Sequence, residues 1–155
     1  TQIRDDYAEI YDYEYQGNYA RVKFKDGYWG IVNKNGKVIF DGADYIEKLP
    51  TVTALCSAVK NGHAIIIYLD IDSDSVQVIK SFDEYVNISE VYFECFAIVQ
   101  DIDGYYGVIN ADGDEVIPVK YKEVNYKVLE SDNWFGSHIL FRLNSENGEF
   151  KEINF

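Results

Sequence analysis

Apolar and polar residues alternate with a period of two along much of this chain. Ala20, Val22 and Phe24 are separated by Arg21, Lys23 and Lys25, the pattern of a strand with one buried and one solvated face. Trp29, Ile31 and Asn33 oppose Tyr28, Gly30 and Val32 in the same way. Ile65-Ile66-Ile67-Tyr68-Leu69 is continuously apolar, which predicts a strand buried on both faces. Further short strands are expected at Val38-Ile39-Phe40 and Val116-Ile117-Pro118, after the turn pairs Asn35-Gly36 and Asp112-Gly113. The main helix candidates are short, around residues 44–49 and 121–130.

The pattern repeats. Residues 27–39, GYWGIVNKNGKVI, return at 104–117 as GYYGVINADGDEVI, with Gly27, Gly30, Asn33 and Gly36 matching Gly104, Gly107, Asn110 and Gly113 at an offset of 77. Half that offset, roughly 38, locates two worn copies. A strand ending at Asp26-Gly27 recurs before Asn61-Gly62, Asp103-Gly104 and Asn147-Gly148. Asp-Gly and Asn-Gly readily adopt the positive φ angles of tight turns, so all four are expected hairpin tips. Asn33, Tyr68, Asn110 and Asn154 each lie six residues beyond their glycine, so the returning strands share one length. The chain reads as all-β, four tandem units of about 38 residues, each a three-stranded meander with a short connecting helix or turn. The units run about 5–42, 43–80, 81–118 and 119–155, and make residues 1–155 a single repeat-built domain. A meander cannot bury its apolar face alone, so the units must pack on one another. The fourth lacks a third strand after Asn154-Phe155, and the N-terminal stretch 7–15 is the candidate to supply it.

An aromatic followed by glycine, two β-branched residues and Asn, then a Gly before Val-Ile-Pro, resembles the bacterial WG-repeat family. Trp29-Gly30 carries the dipeptide in unit one; Tyr106-Gly107, with Val116-Ile117-Pro118 and Tyr121, carries its variant in unit three. Units two and four have Ala64-Ile65 and Phe150-Lys151 at the corresponding places. The resemblance implies a scaffolding or interaction module without a shared catalytic residue set, and it transfers no site. The dipeptide also has a plain structural meaning, an aromatic packed over backbone that glycine leaves bare.

Charge narrows the partners. Twenty-seven Asp and Glu against 14 Lys and Arg give −13 and a pI near 4.4, which argues against nucleic acid, whose phosphates require clustered bases. The field instead favours a basic protein partner. Arg21, Lys23 and Lys25 share one strand face and are expected to be an ordinary solvated face. The hydrophobic share, 47%, suffices for a core in a chain this long. No apolar run approaches the length of a membrane span, so no membrane insertion is expected. A bacterial cytoplasmic location is expected, with a surface or secreted one if a signal peptide was removed. Oligomeric state is left open.

No cofactor and no metal are expected. His63 and His138 have no Cys or His at ligand spacing. Asp70, Asp72 and Asp74 suggest a calcium loop, but Ser75 and Ser81 stand where an EF-hand needs Gly and Glu; alternating aspartates are expected to cap a solvated hairpin edge. Cys56 and Cys95 are 39 residues apart and are expected to be free, a disulfide being the alternative. No nucleophile elbow, phosphate loop or dinucleotide fingerprint is present, so catalytic residues are none and the chain is not expected to be an enzyme.

Two features suit recognition. The segment Ser131-Asp132-Asn133-Trp134-Phe135-Gly136 lies in the longest link between a connecting element and its strand, and such aromatics anchor interfaces; a plug closing the array is the competing reading. Tyr11, Tyr13 and Tyr15 alternate with Asp12 and Glu14, presenting a tyrosine stripe on one face or covering the core of the first unit. Candidate partner-binding residues are therefore Trp134, Phe135 and Asp132, with Tyr11, Tyr13 and Tyr15 second. The expected function is a non-enzymatic protein-binding module, most concretely an acidic immunity-type protein or inhibitor of a basic protein. Alternatives are a structural repeat segment of a larger bacterial surface or scaffold protein, and a carbohydrate-binding or carbohydrate-active domain.

Overall fold

The computed structural model describes residues 4–50, 53–129, 138–144 and 149–154. Its strands form four antiparallel sheets taken up in chain order. The first sheet holds β1 (Tyr7–Glu14), β2 (Tyr19–Phe24), β3 (Trp29–Asn33) and β4 (Val38–Ala43). The second holds β5 (Tyr45–Ile46), β6 (Leu55–Lys60), β7 (His63–Asp70) and β8 (Ser75–Ser81). The third holds β9 (Asn87–Ile88), β10 (Phe96–Gln100), β11 (Tyr106–Asn110) and β12 (Glu115–Tyr121). The fourth holds β13 (Glu123–Leu129), β14 (His138–Asn144) and β15 (Glu149–Asn154). Each is a meander with neighbours in sequence paired. The fold is all-β, built by repetition.

The connecting elements are strands rather than helices. Tyr45 and Ile46 pair with Val59 and Ala58, and Glu123–Leu129 pairs along its whole length with β14. Val124, Tyr126 and Val128 repeat at the strand period, and the free edge of β14 supplies the backbone hydrogen bonds a helix would have made internally. This strand also completes the fourth sheet. β1 does not serve there; it pairs with β2, Tyr7 opposite Phe24 and Glu14 opposite Tyr19.

The turn residues act as their types require. Asn61 and Gly62 have φ of 53° and 77° and close a two-residue hairpin between Lys60 and His63, the geometry that favours Asn-Gly. The Gly27 and Gly104 turns close β2–β3 and β10–β11, whereas Asn147-Gly148 lies outside the described residues. The recurring Asn has a separate task. Asn33 Oδ1 accepts from the backbone N–H of Asn35 and Lys37, and Asn110 Oδ1 from that of Asp114, so each caps the following turn.

The repeated Gly30 and Gly107 sit where the next strand bulges over them. A Cβ on Gly30 would lie 2.6 Å from the Phe40 carbonyl oxygen and 2.7 Å from the Phe24 ring; one on Gly107 would lie 2.6 Å from the Ile117 oxygen. The pairing of β3 with β4 shifts register at this point, as does that of β11 with β12. Glycine is thus demanded by close approach.

Three apolar layers separate the four sheets. Trp29, Ile31 and Tyr19 meet Ile46, Leu49, Ala58, Ile65 and Ile67 in the first. Val59, Ala64 and Ile66 meet Ile88, Ala97 and Val99 in the second. Phe96, Val108 and Ile117 meet Val124, Ile139 and Phe141 in the third. β7 contributes Ile65 and Ile67 to one layer and Ile66 to the next, so it is buried on both faces. Among the described residues no buried cluster joins the first sheet to the fourth. Ala20, Val22, Phe24 and Val32 form a separate cluster within the first sheet, with Tyr7 and Val38 against it. Tyr19 and Arg21, on the other side of β2, face the second sheet. The apolar side of β2 therefore points away from the rest of the stack.

Candidate partner-binding site

β1 does not present a stripe. Its register against β2 shifts between Ile10, opposite Val22, and Tyr13, opposite Ala20, and a bulge of this kind turns the residues beyond it to the other face. Tyr11 and Tyr13 therefore point to opposite sides of the sheet. Tyr11 stacks on Trp29 at 5.2 Å between ring centroids, and Tyr45 meets the same indole edge-on at 5.1 Å. Tyr13 is 47% exposed, its hydroxyl donating to the Asn33 carbonyl at 3.5 Å. Tyr15 is buried in the layer between the first two sheets, stacked on Tyr19. The three tyrosines are thus a partner of Trp29, an exposed residue and a core residue.

Arg21 lies beside this aromatic group instead of in a solvated basic face. Its guanidinium stands 5.0 Å from the Tyr11 ring centroid. Nε and Nη2 donate to the Glu14 carboxylate at 3.1 Å each, and Nη1 donates to the Ile46 carbonyl at 3.0 Å. Glu14 also accepts from the Leu49 backbone N–H. Both side chains of the pair are 12% exposed, because the second sheet stacks against the face that alternation alone marks as solvated. The pair ties β1 and β2 to the segment after β5.

The acidic triplet is likewise committed locally. Asp70 Oδ1 accepts from the N–H of Asp72 and Ser73, and the Ser73 contacts hold its carboxyl below the usual range. Asp74 turns the other way, accepting from the Tyr19 hydroxyl at 3.2 Å and Asn33 Nδ2 at 2.6 Å. The three carboxylates do not converge. Among the described residues no group of three or more His, Cys, Asp or Glu is placed to hold a metal ion. Cys56 and Cys95 are free thiols, Cys56 in the first interlayer and Cys95 against the third. Burial pushes the Cys56 thiol far up, which disfavours the reactive thiolate.

Over the outward end of the first sheet, Arg4 places its guanidinium 3.7 Å from the Phe24 ring centroid. It bridges Asp6, Asp26 and Asp41 at 2.8–3.0 Å, one cation among three anions. Alternation does not mark Arg4; it lies outside every repeated element. A cleft of about 500 Å³ opens between the third and fourth sheets, where Asn87, Gln100, Tyr106, Glu123 and Asn144 surround Ile98. Trp134, Phe135 and Asp132 lie outside the described residues. No helix among the described residues is long and apolar enough to cross a membrane.

No protein-family model matches the chain, and no curated protein matches it.

Proposed function

We propose that the chain is a non-enzymatic protein-binding module for a basic partner, most concretely an immunity-type protein or inhibitor that occludes a basic target. The observation that carries this reading is the set of exposed aromatic and aliphatic side chains in a strongly acidic chain. Ile10, Tyr13, Tyr28 and Tyr45 are 39–62% exposed in a chain of net charge −13. Large side chains supply affinity at an interface, while opposite charge speeds encounter and selects the partner. The resemblance of the Trp29-Gly30 and Tyr106-Gly107 units to WG repeats supports the same class.

The test is affinity capture from the source organism, identification of the bound protein, and association kinetics across a salt series. A basic partner is expected, with an association rate at least about tenfold lower at 0.5 M than at 0.05 M salt as charges are screened. An acidic partner, or association indifferent to salt, would overturn the proposal. The cleft beside Tyr106 favours one second reading, a sugar site, since amides, carboxylates and an aromatic line it. Tyr106→Ala abolishing retention on a polysaccharide column would support that reading, and no retention of the parent chain would remove it.

A further inference from the structure

The last strands of the first three sheets, β4, β8 and β12, each leave one edge without a neighbouring strand. Such an edge offers unpaired peptide groups to another chain unless something blocks it. On β4, the Asp41 carboxylate accepts from the Gly42 N–H, and Lys60 Nζ donates to the Asp41 carbonyl. On β12, Pro118 has no N–H to offer, and Lys151 Nζ donates to the Val116 carbonyl. β8 has neither device. It reads Ser-Val-Gln-Val-Ile-Lys-Ser, without proline or glycine, and among the described residues no side chain bonds the peptide groups of Val76 or Val78.

The direction of those peptide groups follows from the bonds around them. The Leu69 N–H donates to the Ala54 carbonyl, on the side of β6, and the Phe82 N–H donates to the Ala64 carbonyl, on the side of β8. Backbone direction alternates along an antiparallel strand, so Ile66 and Tyr68 bond β8 while Ile67 and Leu69 bond β6. The residues opposite Leu69 and Ile67, Val76 and Val78, therefore turn their N–H and C=O away from β7. The register then shifts and leaves Ile79 unopposed, so the regular free edge runs from Ser75 to Val78. Val78 and Ile79 are each 51% exposed. Lys80 does not guard the edge; its stem lies along the next sheet, where a Cβ on Gly113 would come 3.0 Å from Lys80 Cε. Exposed acids stand at both ends: Asp72 in the turn before β8, Asp83 just after it, and Asp112 and Asp114 on either side of Gly113.

We propose that the Ser75–Val78 edge of β8 is a docking site for an extended, basic segment of a partner protein, which adds a strand to the second sheet. The inference rests on the basic-partner reading above and names how that partner is held. Main-chain bonds to Val76 and Val78 set the register, and alternate apolar side chains of the incoming segment cover Val78 and Ile79. Lysines or arginines flanking its apolar run meet Asp72 at one end and Asp83, Asp112 and Asp114 at the other. Pairing of β8 with a second copy of itself is disfavoured, because it brings together two chains of −13.

The probe is a synthetic peptide alternating Val and Thr between flanking lysines, titrated into the isotope-labelled full chain with hydrogen exchange followed amide by amide. In the free chain the Val76 and Val78 amides are expected to exchange fast, while that of Gln77, paired to Tyr68, is protected. Bound peptide should slow exchange at Val76 and Val78. N-methylation of alternate peptide residues, or Val78→Pro in the protein, should weaken binding at least about tenfold, since each removes hydrogen bonds at the edge. Thermal melting checks that Val78→Pro, which deletes only an outward N–H, keeps its fold; the methylated peptide asks the same question of the unaltered protein. Val76 and Val78 amides already protected in the free chain, or protection by the peptide at another strand, would overturn this edge and leave the basic-partner reading standing. Binding indifferent to methylation would overturn strand addition in the same way. Equal binding by a peptide flanked with glutamates, or none by the lysine peptide, would count against both. Concentration-dependent dimerisation abolished by Val78→Pro would overturn the partner segment in favour of a second copy.

Discussion

Gly30 and Gly107 show how far a single residue type is dictated by the packing above it. Their Cβ positions are filled by backbone oxygens of the neighbouring strand, which a side-chain rotation cannot move. Gly30→Ala and Gly107→Ala should each destabilise by about 1–3 kcal/mol, read as a lowered urea midpoint with an unchanged slope. Unchanged stability in both would mean the strands do not cross so closely. Two tyrosines offer an independent handle. Burial, and then the Asp74 carboxylate, push the Tyr19 hydroxyl up to about 12; burial, followed by Glu115 and Glu84, does the same for Tyr85. In the unfolded chain both ionise near pH 10. Between pH 10 and 12 the unfolded state loses protons the folded state keeps, so stability is full below 10 and falls as pH approaches 12. Phenolate absorbance should show Tyr19 and Tyr85 among the late-titrating tyrosines, and Tyr19→Phe with Tyr85→Phe should reduce that alkaline loss.

At the level of elements, alternation located the main strands of units one to three, and Asp-Gly and Asn-Gly located their tips. Ile65–Leu69 was legible as a doubly buried strand because nothing polar interrupts it. The connecting strands were not legible. Tyr45-Ile46 is too short to show a period, and Glu123–Leu129 mixes Lys and Glu with Val in a way a helix also tolerates. Their strand state is set by neighbouring edges, a tertiary cause. The tyrosine stripe failed for a similar reason, since a bulge inserts one residue and reverses the face of everything beyond it. β1 itself carries a direct test. It covers the edge of β2 and brings Tyr7 onto Phe24 at 5.5 Å. Deleting residues 1–14 should cost on the order of 3 kcal/mol or more, measured by urea unfolding. A deletion that leaves the midpoint in place would show that β1 is not part of the first sheet in solution.

For the whole molecule, the repeat of 77 residues announced tandem units, and apolar faces on both sides of β7 implied stacking. The order of the layers required coordinates. Alternation marked Ala20, Val22 and Phe24 as the buried face of their strand, and they are buried in a cluster of their own with Val32; the other face is not solvated, because the second sheet takes the side carrying Trp29, Ile31 and Arg21. The exposure of Ile10 is invisible in the sequence, where nothing local sets it apart from the buried Ile46 and Ile88. The account therefore stands on one contrast among these isoleucines. Methyl resonances of Ile10, Ile46 and Ile88 should be recorded with a soluble paramagnetic agent in the isolated chain. The expected result is strong broadening of Ile10 alone, with Ile46 and Ile88 protected between sheets. Protection of all three would show the outer face already covered, and broadening of Ile46 or Ile88 would contradict the stack itself.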